Sequence, residues 1–175
     1  MKQLWAPWRL EYVRSVSEIR DKSQVLHNGC IFCEGIQPGT STYENLVLGS
    51  SREWVVILNK YPYSNGHVLL LPKAHKATLL DLSVSERDTL GVAMMAVEKA
   101  LKNCYAPHGM NVGTNVGKAA GAGIPEHLHF HFVPRWTGDT NFMPILAEVR
   151  CINDHLQSMY ERLKPFVQES LRELN

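Results

Sequence analysis

The chain has 175 residues, 45% hydrophobic and 20% charged, enough for one domain with a substantial core. Its 18 Lys and Arg against 17 Asp and Glu give a formal charge of +1, so nothing electrostatic points to a nucleic-acid partner. No apolar run reaches the length of a membrane span, the N-terminus lacks the apolar centre of a signal peptide, and four cysteines in so long a chain do not suggest a disulfide framework. A cytoplasmic protein without a membrane partner is expected.

Residues 1–29 read as an arm carrying Trp5 and Trp8 around Pro7, aromatics that usually dock onto a body or a partner subunit. Cys30-Ile31-Phe32-Cys33 is a C-x-x-C pair, which in a cytosolic chain favours metal binding or redox chemistry. A loop of turn formers over 35–41 leads to expected strands at 45–48, 54–59 and 67–71. Residues 51–53 connect the first two strands as a hairpin, and residues 60–66, with Pro62 and Gly66, connect the second and third. Ser83-Val84-Ser85-Glu86 is a capping box, and Leu90, Ala93, Met94, Val97 and Leu101 follow at helical spacing. They predict a helix over 85–103 that stops before Pro107. A strand over 110–115 then enters the glycine-rich stretch 117–123. A C-terminal helical region over 153–174 should break near Pro165, which has no N–H to donate. This order predicts an α+β antiparallel architecture, divided into an arm (1–29), a central domain (30–137) and a C-terminal helical extension (138–175).

His127-Leu128-His129-Phe130-His131-Phe132-Val133 places three histidines at two-residue spacing in an apolar run. On a strand, that alternation projects all three imidazoles from one face and Leu128, Phe130 and Phe132 from the other, with same-face neighbours about 7 Å apart. A neutral imidazole attacks phosphorus well when one nitrogen keeps its proton and the other presents a lone pair. The preceding glycines allow close approach of backbone N–H groups to an anion, and Asn115 and Lys118 offer further donors. These features describe a site for phosphoryl or nucleotidyl transfer, although three such imidazoles equally suit a metal. The loop is not a Walker loop, because no Gly-Lys-Ser/Thr ends it.

The run H-φ-H-φ-H-φ-φ, with φ apolar, resembles the histidine triad family. Asn59, the stretch from Gly66-His67-Val68 to His75 and the Gly/Ala loop extend the similarity over roughly residues 30–137, and Leu4-Trp5-Ala6-Pro7-Trp8-Arg9 and the run from Pro134 to Phe142 add to it. The bacterial branch related to diadenosine tetraphosphate phosphorylases and fragile-histidine-triad hydrolases is the most similar. The resemblance implies an antiparallel sheet with one long helix packed on it, and a homodimer. It implies that His129 attacks the α-phosphate of an adenine nucleotide to form a nucleotidyl-histidine, that His131 steadies the phosphate or leaving group, and that His67 supports the row. Asn59 would contact ribose, and Asn115 with Gly121 and Gly123 would cradle phosphates. Water or inorganic phosphate would release the nucleotide. The chain departs from many family hydrolases by carrying Gly123-Ile124-Pro125-Glu126 where they place Gln or Ser, which adds weight to phosphate as acceptor. Two thiolates at C-x-x-C spacing suit one tetrahedral ion. With His75 and His127 brought in on adjacent strands, Cys30 and Cys33 would form a structural zinc site like that of several bacterial members. Hydrolysis of AMP–amine conjugates, a metal held by His127, His129 and His131, and nucleotide binding without turnover stand as alternatives.

Overall fold

A computed structural model describes residues 29–36, 45–139 and 154–172 of the protein. The Trp-rich arm, Cys151 and residues 140–142 at the end of the family-like run lie outside the described residues. A single helical turn, α1 (Ile31–Gly35), precedes strands β1 (Val47–Ser50), β2 (Trp54–Leu58) and β3 (Val68–Pro72). The long helix α2 (Val84–Tyr105) follows, then β4 (Gly109–Thr114), β5 (Phe130–Arg135) and the C-terminal helix α3 (Leu156–Arg172). The strands form one sheet in the order β1-β2-β3-β5-β4, and every neighbouring pair is antiparallel. The expected α+β fold is therefore present.

Alternation along the strands divides the sheet into two faces. Leu48, Trp54, Val56, Val68, Leu70, Phe130 and Phe132 join Val97 and Leu101 of α2 and Leu163 and Val167 of α3 in the main core. Each such buried aliphatic side chain contributes roughly 1.5–3 kcal/mol. Trp54 adds a polar tie, donating its indole N–H to Thr89 Oγ1 at 3.0 Å. Val47, Val55, Ile57, Leu69 and Leu71 point the other way, onto a smaller cluster with Cys30 and Phe32.

Helix α2 starts at the predicted capping box: Ser83 Oγ accepts from the Glu86 N–H at 3.2 Å, and Glu86 accepts from the Ser83 N–H at 2.6 Å. Two glycines permit close approaches. A Cβ on Gly66, whose φ is +74°, would stand 2.7 Å from the Tyr105 ring, and one on Gly49 would stand 3.2 Å from Leu171. Three expectations need correction. The first strand begins at Val47, because Leu46 adopts a left-handed backbone (φ 57°) beside a bulge at Val47/Gly49. Pro165 does not interrupt α3: it and Glu161, whose carbonyl loses its helical donor, lie on the exposed side, where water replaces the bond. The third correction concerns the histidine strand itself.

Candidate active site

The β5 ladder starts at Phe130, so His127 and His129 precede it. The reason lies in the neighbours. β3 ends in Pro72 and β4 ends at Thr114, and beyond them other groups satisfy the backbone. The Leu128 N–H donates to the Lys76 carbonyl at 2.5 Å, and Thr114 Oγ1 donates to the His129 carbonyl at 2.7 Å. Leu128 still faces the main core, while His127 and His129 face the other side, against Phe32.

The hydrogen bonds assign the protons of the row. His129 donates from Nδ1 to the His127 carbonyl at 2.7 Å, which leaves the Nε2 lone pair unused. The Tyr63 backbone N–H can only donate, and its acceptor is His67 Nδ1 at 3.0 Å. The His67 proton therefore sits on Nε2 and is donated to His131 Nδ1 at 3.0 Å. His131 in turn carries its proton on Nε2. A bare lone pair on His129 and an N–H on His131 thus lie on neighbouring rings, with centroids 5.1 Å apart.

Both rings are neutral near physiological pH. Burial holds His129 below the ordinary histidine range. Burial first, and then the charge of His129, push His131 down to about 4. His67 is fully buried, and Tyr63 stacks on His131 with the planes 11° apart.

Of the remaining expected residues, Asn59 touches the row directly. Asn59 Nδ2 is 3.3 Å from the His67 ring nitrogens, and Asn59 Oδ1 accepts from the Tyr61 N–H at 2.9 Å. Asn115 follows Thr114, which pairs with Phe130, so it stands level with His129 across the sheet. In the glycine loop, Gly121 has a left-handed backbone (φ 89°), and its N–H donates to the Lys118 carbonyl at 2.9 Å. Gly123 is half-buried four residues before His127. Trp136 is held in a packed turn: its N–H donates to Asp139, and its ring meets Tyr105 edge-on.

His127 turns both its ring nitrogens to other partners than His129 and His131. Its Nε2–H donates to the Pro72 carbonyl at 2.9 Å, which turns the Nδ1 lone pair to Cys30 Sγ at 3.4 Å and Cys33 Sγ at 3.5 Å. His75 Nδ1 lies 3.3 Å from Cys33 Sγ. All four ligand atoms fall within 4.8 Å of one another. Tetrahedral zinc, with bonds of about 2.3 Å to sulfur and about 2.0 Å to nitrogen, requires S···N separations of about 3.5 Å. The donor set therefore fits such an ion, and the Pro72 carbonyl supplies the outer hydrogen bond that ligating histidines usually make. Burial first, then the hydrogen bond and charge of Cys30, push the Cys33 thiol up to about 11, so cation binding there would release protons. Among the described residues, the Cys/His group that could hold a metal takes in His127 but neither His129 nor His131, which argues against a metal held jointly by the three.

Sequence reasoning left three contributions unread. Tyr63, besides stacking its ring on His131, fixes the His67 tautomer through its backbone N–H, which no side-chain pattern reports. Thr114 reads as an ordinary strand former. Phe32, lying between the two cysteines, reads as core packing, although its ring touches both His127 and His129.

Comparison with known proteins agrees with the motif and the fold. The HIT domain model matches residues 41–138. A Mycobacterium tuberculosis protein described as AP-4-A phosphorylase is 36% identical over 152 residues, covering 87% of this chain and 77% of that one. The crystal structure of a hypothetical histidine triad nucleotide-binding protein from Sulfolobus tokodaii superposes with a TM-score of 0.63 at 29% identity, covering 83% of this chain and 93% of its own. A Zn-bound histidine triad family protein from Mycobacterium smegmatis has the same fold, with a TM-score of 0.63 at 24% identity over 83% and 97% of the two chains. Motif, fold and sequence similarity agree, and the chain belongs to the histidine triad family.

Proposed function

We propose that the protein is a nucleotidyl hydrolase or phosphorylase that cleaves dinucleoside polyphosphates of the diadenosine tetraphosphate type through a covalent nucleotidyl-His129. One observation carries the reading: the His129 ring, with its Nε2 lone pair, and the His131 ring, with its Nε2–H, are neighbours with centroids 5.1 Å apart, each tautomer fixed by the hydrogen bond of the ring's other nitrogen. Nε2 of His129 forms a bond to the α-phosphorus, and the bond from that phosphorus to the bridging oxygen breaks, its electron pair leaving with the polyphosphate. His131 donates a hydrogen bond from Nε2–H to the departing oxygen and keeps its proton. The positive charge that develops on the His129 ring is stabilised by the Nδ1–H bond to the His127 carbonyl. Water or an oxygen of inorganic phosphate then attacks the same phosphorus. The bond from phosphorus to His129 Nε2 breaks with its electron pair returning to that nitrogen, and the proton of an attacking water passes to solvent. The curated mycobacterial relative named for phosphorolysis supports the choice of substrate class.

The protonation of His131 favours an anhydride over an AMP–amine conjugate. A polyphosphate leaves as a stable anion, whereas an amine must take up a proton as it leaves. His131, with its pKa near 4, has little acid to supply near neutrality but keeps a hydrogen-bond donor.

Asn59 is our ribose contact. Asn115 and the Gly121–Gly123 segment form the phosphate side, where Gly121 shapes the turn through its left-handed backbone. Cys30, Cys33, His75 and His127 hold structural zinc, a reading supported by the Zn-bound neighbour of the same fold. A homodimer is supported by exposed Val84, Val92 and Met95 on α2 and by the open edge of β4. The division into arm 1–29, domain 30–137 and extension 138–175 is retained. No helix among the described residues is long and apolar enough to cross a membrane, and the assigned surroundings remain cytoplasmic.

Diadenosine tetraphosphate labelled at the α-phosphate tests the reading. Acid-labile label should appear on His129; its absence during turnover overturns the covalent route. The same assay with and without inorganic phosphate identifies the acceptor, because nucleoside diphosphate requires phosphate and monophosphate requires only water.

A further inference from the structure

We infer that Phe32 is a positioning residue for His129, so that the cysteine knuckle orients the nucleophile as well as bracing the fold. This rests on the reading of His129 as nucleophile. Phe32 is 7% exposed and lies between the two cysteines. Its ring meets the His127 ring edge-on at 5.5 Å and 88°, and the His129 ring at 5.3 Å and 63°. The His129 imidazole is therefore held on two sides by parts of one cluster: Phe32, and the carbonyl of His127 at 2.7 Å.

Those two restraints do different things. Thr114 fixes the His129 backbone through its carbonyl, but the imidazole torsion is broad and close to two-fold. The Nδ1–H bond selects one orientation, and the Phe32 edge prevents the ring from swinging out of it. In-line attack needs that orientation, since small misplacements of a reacting group cost up to about a hundred-fold in rate.

Phe32 itself is carried by a helix of five residues, too short to be stable alone. Two things place it: packing on Val55, Ile57, Leu69 and Leu71, and the flanking cysteines drawn towards His75 and His127. Edge-to-face aromatic contacts of this kind add a modest orientational preference to the burial.

The test uses the full-length protein with zinc, as Phe32→Ala and Phe32→Leu, and reads metal content, nucleotide affinity, the rate of first-turnover nucleotidylation and the ¹⁵N spectrum of the His129 ring. In Phe32→Ala, metal per chain should match the unmodified protein and affinity should stay within about two-fold. Nucleotidylation should slow by about ten- to a hundred-fold, and the single Nδ1–H tautomer of His129 should become a mixture. Phe32→Leu, which restores volume, should recover most of the rate and the single tautomer. An unchanged rate and tautomer in Phe32→Ala would overturn the inference. So would loss of metal in both variants, which would make Phe32 a prop of the knuckle alone. The spectrum is read without turnover, so an unmodified protein that forms no nucleotidyl-His129 defeats the functional reading and leaves this one to be decided by the tautomer.

Discussion

The two faces of the sheet are built on different principles. Beneath α2 and α3, stability comes from many interchangeable apolar contacts, among them Leu70, Leu101, Phe132 and Leu163. On the opposite face the described residues form a smaller apolar cluster, and side chains are fixed by directional bonds: Tyr63 to His67 to His131, His129 to the His127 carbonyl, and His127 to the Pro72 carbonyl. Damage on the first face should cost stability in proportion to volume removed. Damage on the second should cost function out of proportion to stability.

The sharpest contrast comes from His129→Gly. Turnover should fall by about a thousand-fold or more, because the covalent route is lost, while the midpoint of unfolding shifts little and nucleotide binding persists. Turnover within ten-fold of the unmodified protein would show that the directional face does not carry the reaction. Leu101→Ala is the counterpart. Leu101 is fully buried in the main core, and its truncation should cost about 2–5 kcal/mol in denaturant titrations, with kcat/KM per folded molecule unchanged.

Much of the helix face is legible in the sequence. The spacing of Leu90, Ala93, Val97 and Leu101 and the Ser83–Glu86 capping box specify α2 almost to its ends. The row of histidines is equally plain, because alternation survives even where the ladder does not. Less of the site can be read, since its bonds run through the backbone. Nothing in the identity of Tyr63 or Pro72 announces that an N–H fixes one tautomer and a carbonyl another. The inequality of the three histidines is likewise a property of what faces each ring. Pro165 misleads for a related reason: proline penalises a helix through an unpaired carbonyl, and that penalty shrinks when the carbonyl meets water.

Acid should separate the faces by a different route. The His131 pKa is lowered to about 4 in the folded protein from the ordinary 6.5, so between those values the unfolded chain binds more protons. Stability therefore falls as pH drops from about 6.5 towards 4, by roughly 1–2 kcal/mol after allowance for the partly exposed ring. His131→Asn should flatten that part of the stability–pH curve. Leu101→Ala should lower the whole curve without changing its slope, and an equal slope in the unmodified protein and His131→Asn would remove His131 as the source.

The mildest test asks whether the faces are independent. Ser83→Ala removes the side-chain half of the α2 capping box, because Ser83 Oγ no longer accepts from the Glu86 N–H. Such a loss typically costs about 1 kcal/mol. The Glu86 carboxylate keeps its bond to the Ser83 N–H, so the helix start should stay in place. α2 touches β3 and β5 from the apolar side, and His67 and His131 are oriented from the other. If directional bonding alone sets the histidine row, melting should report the loss while kcat, KM and the His129 tautomer stay unchanged. A shift in kcat per folded molecule would mean that helix packing reaches through the sheet to the imidazoles.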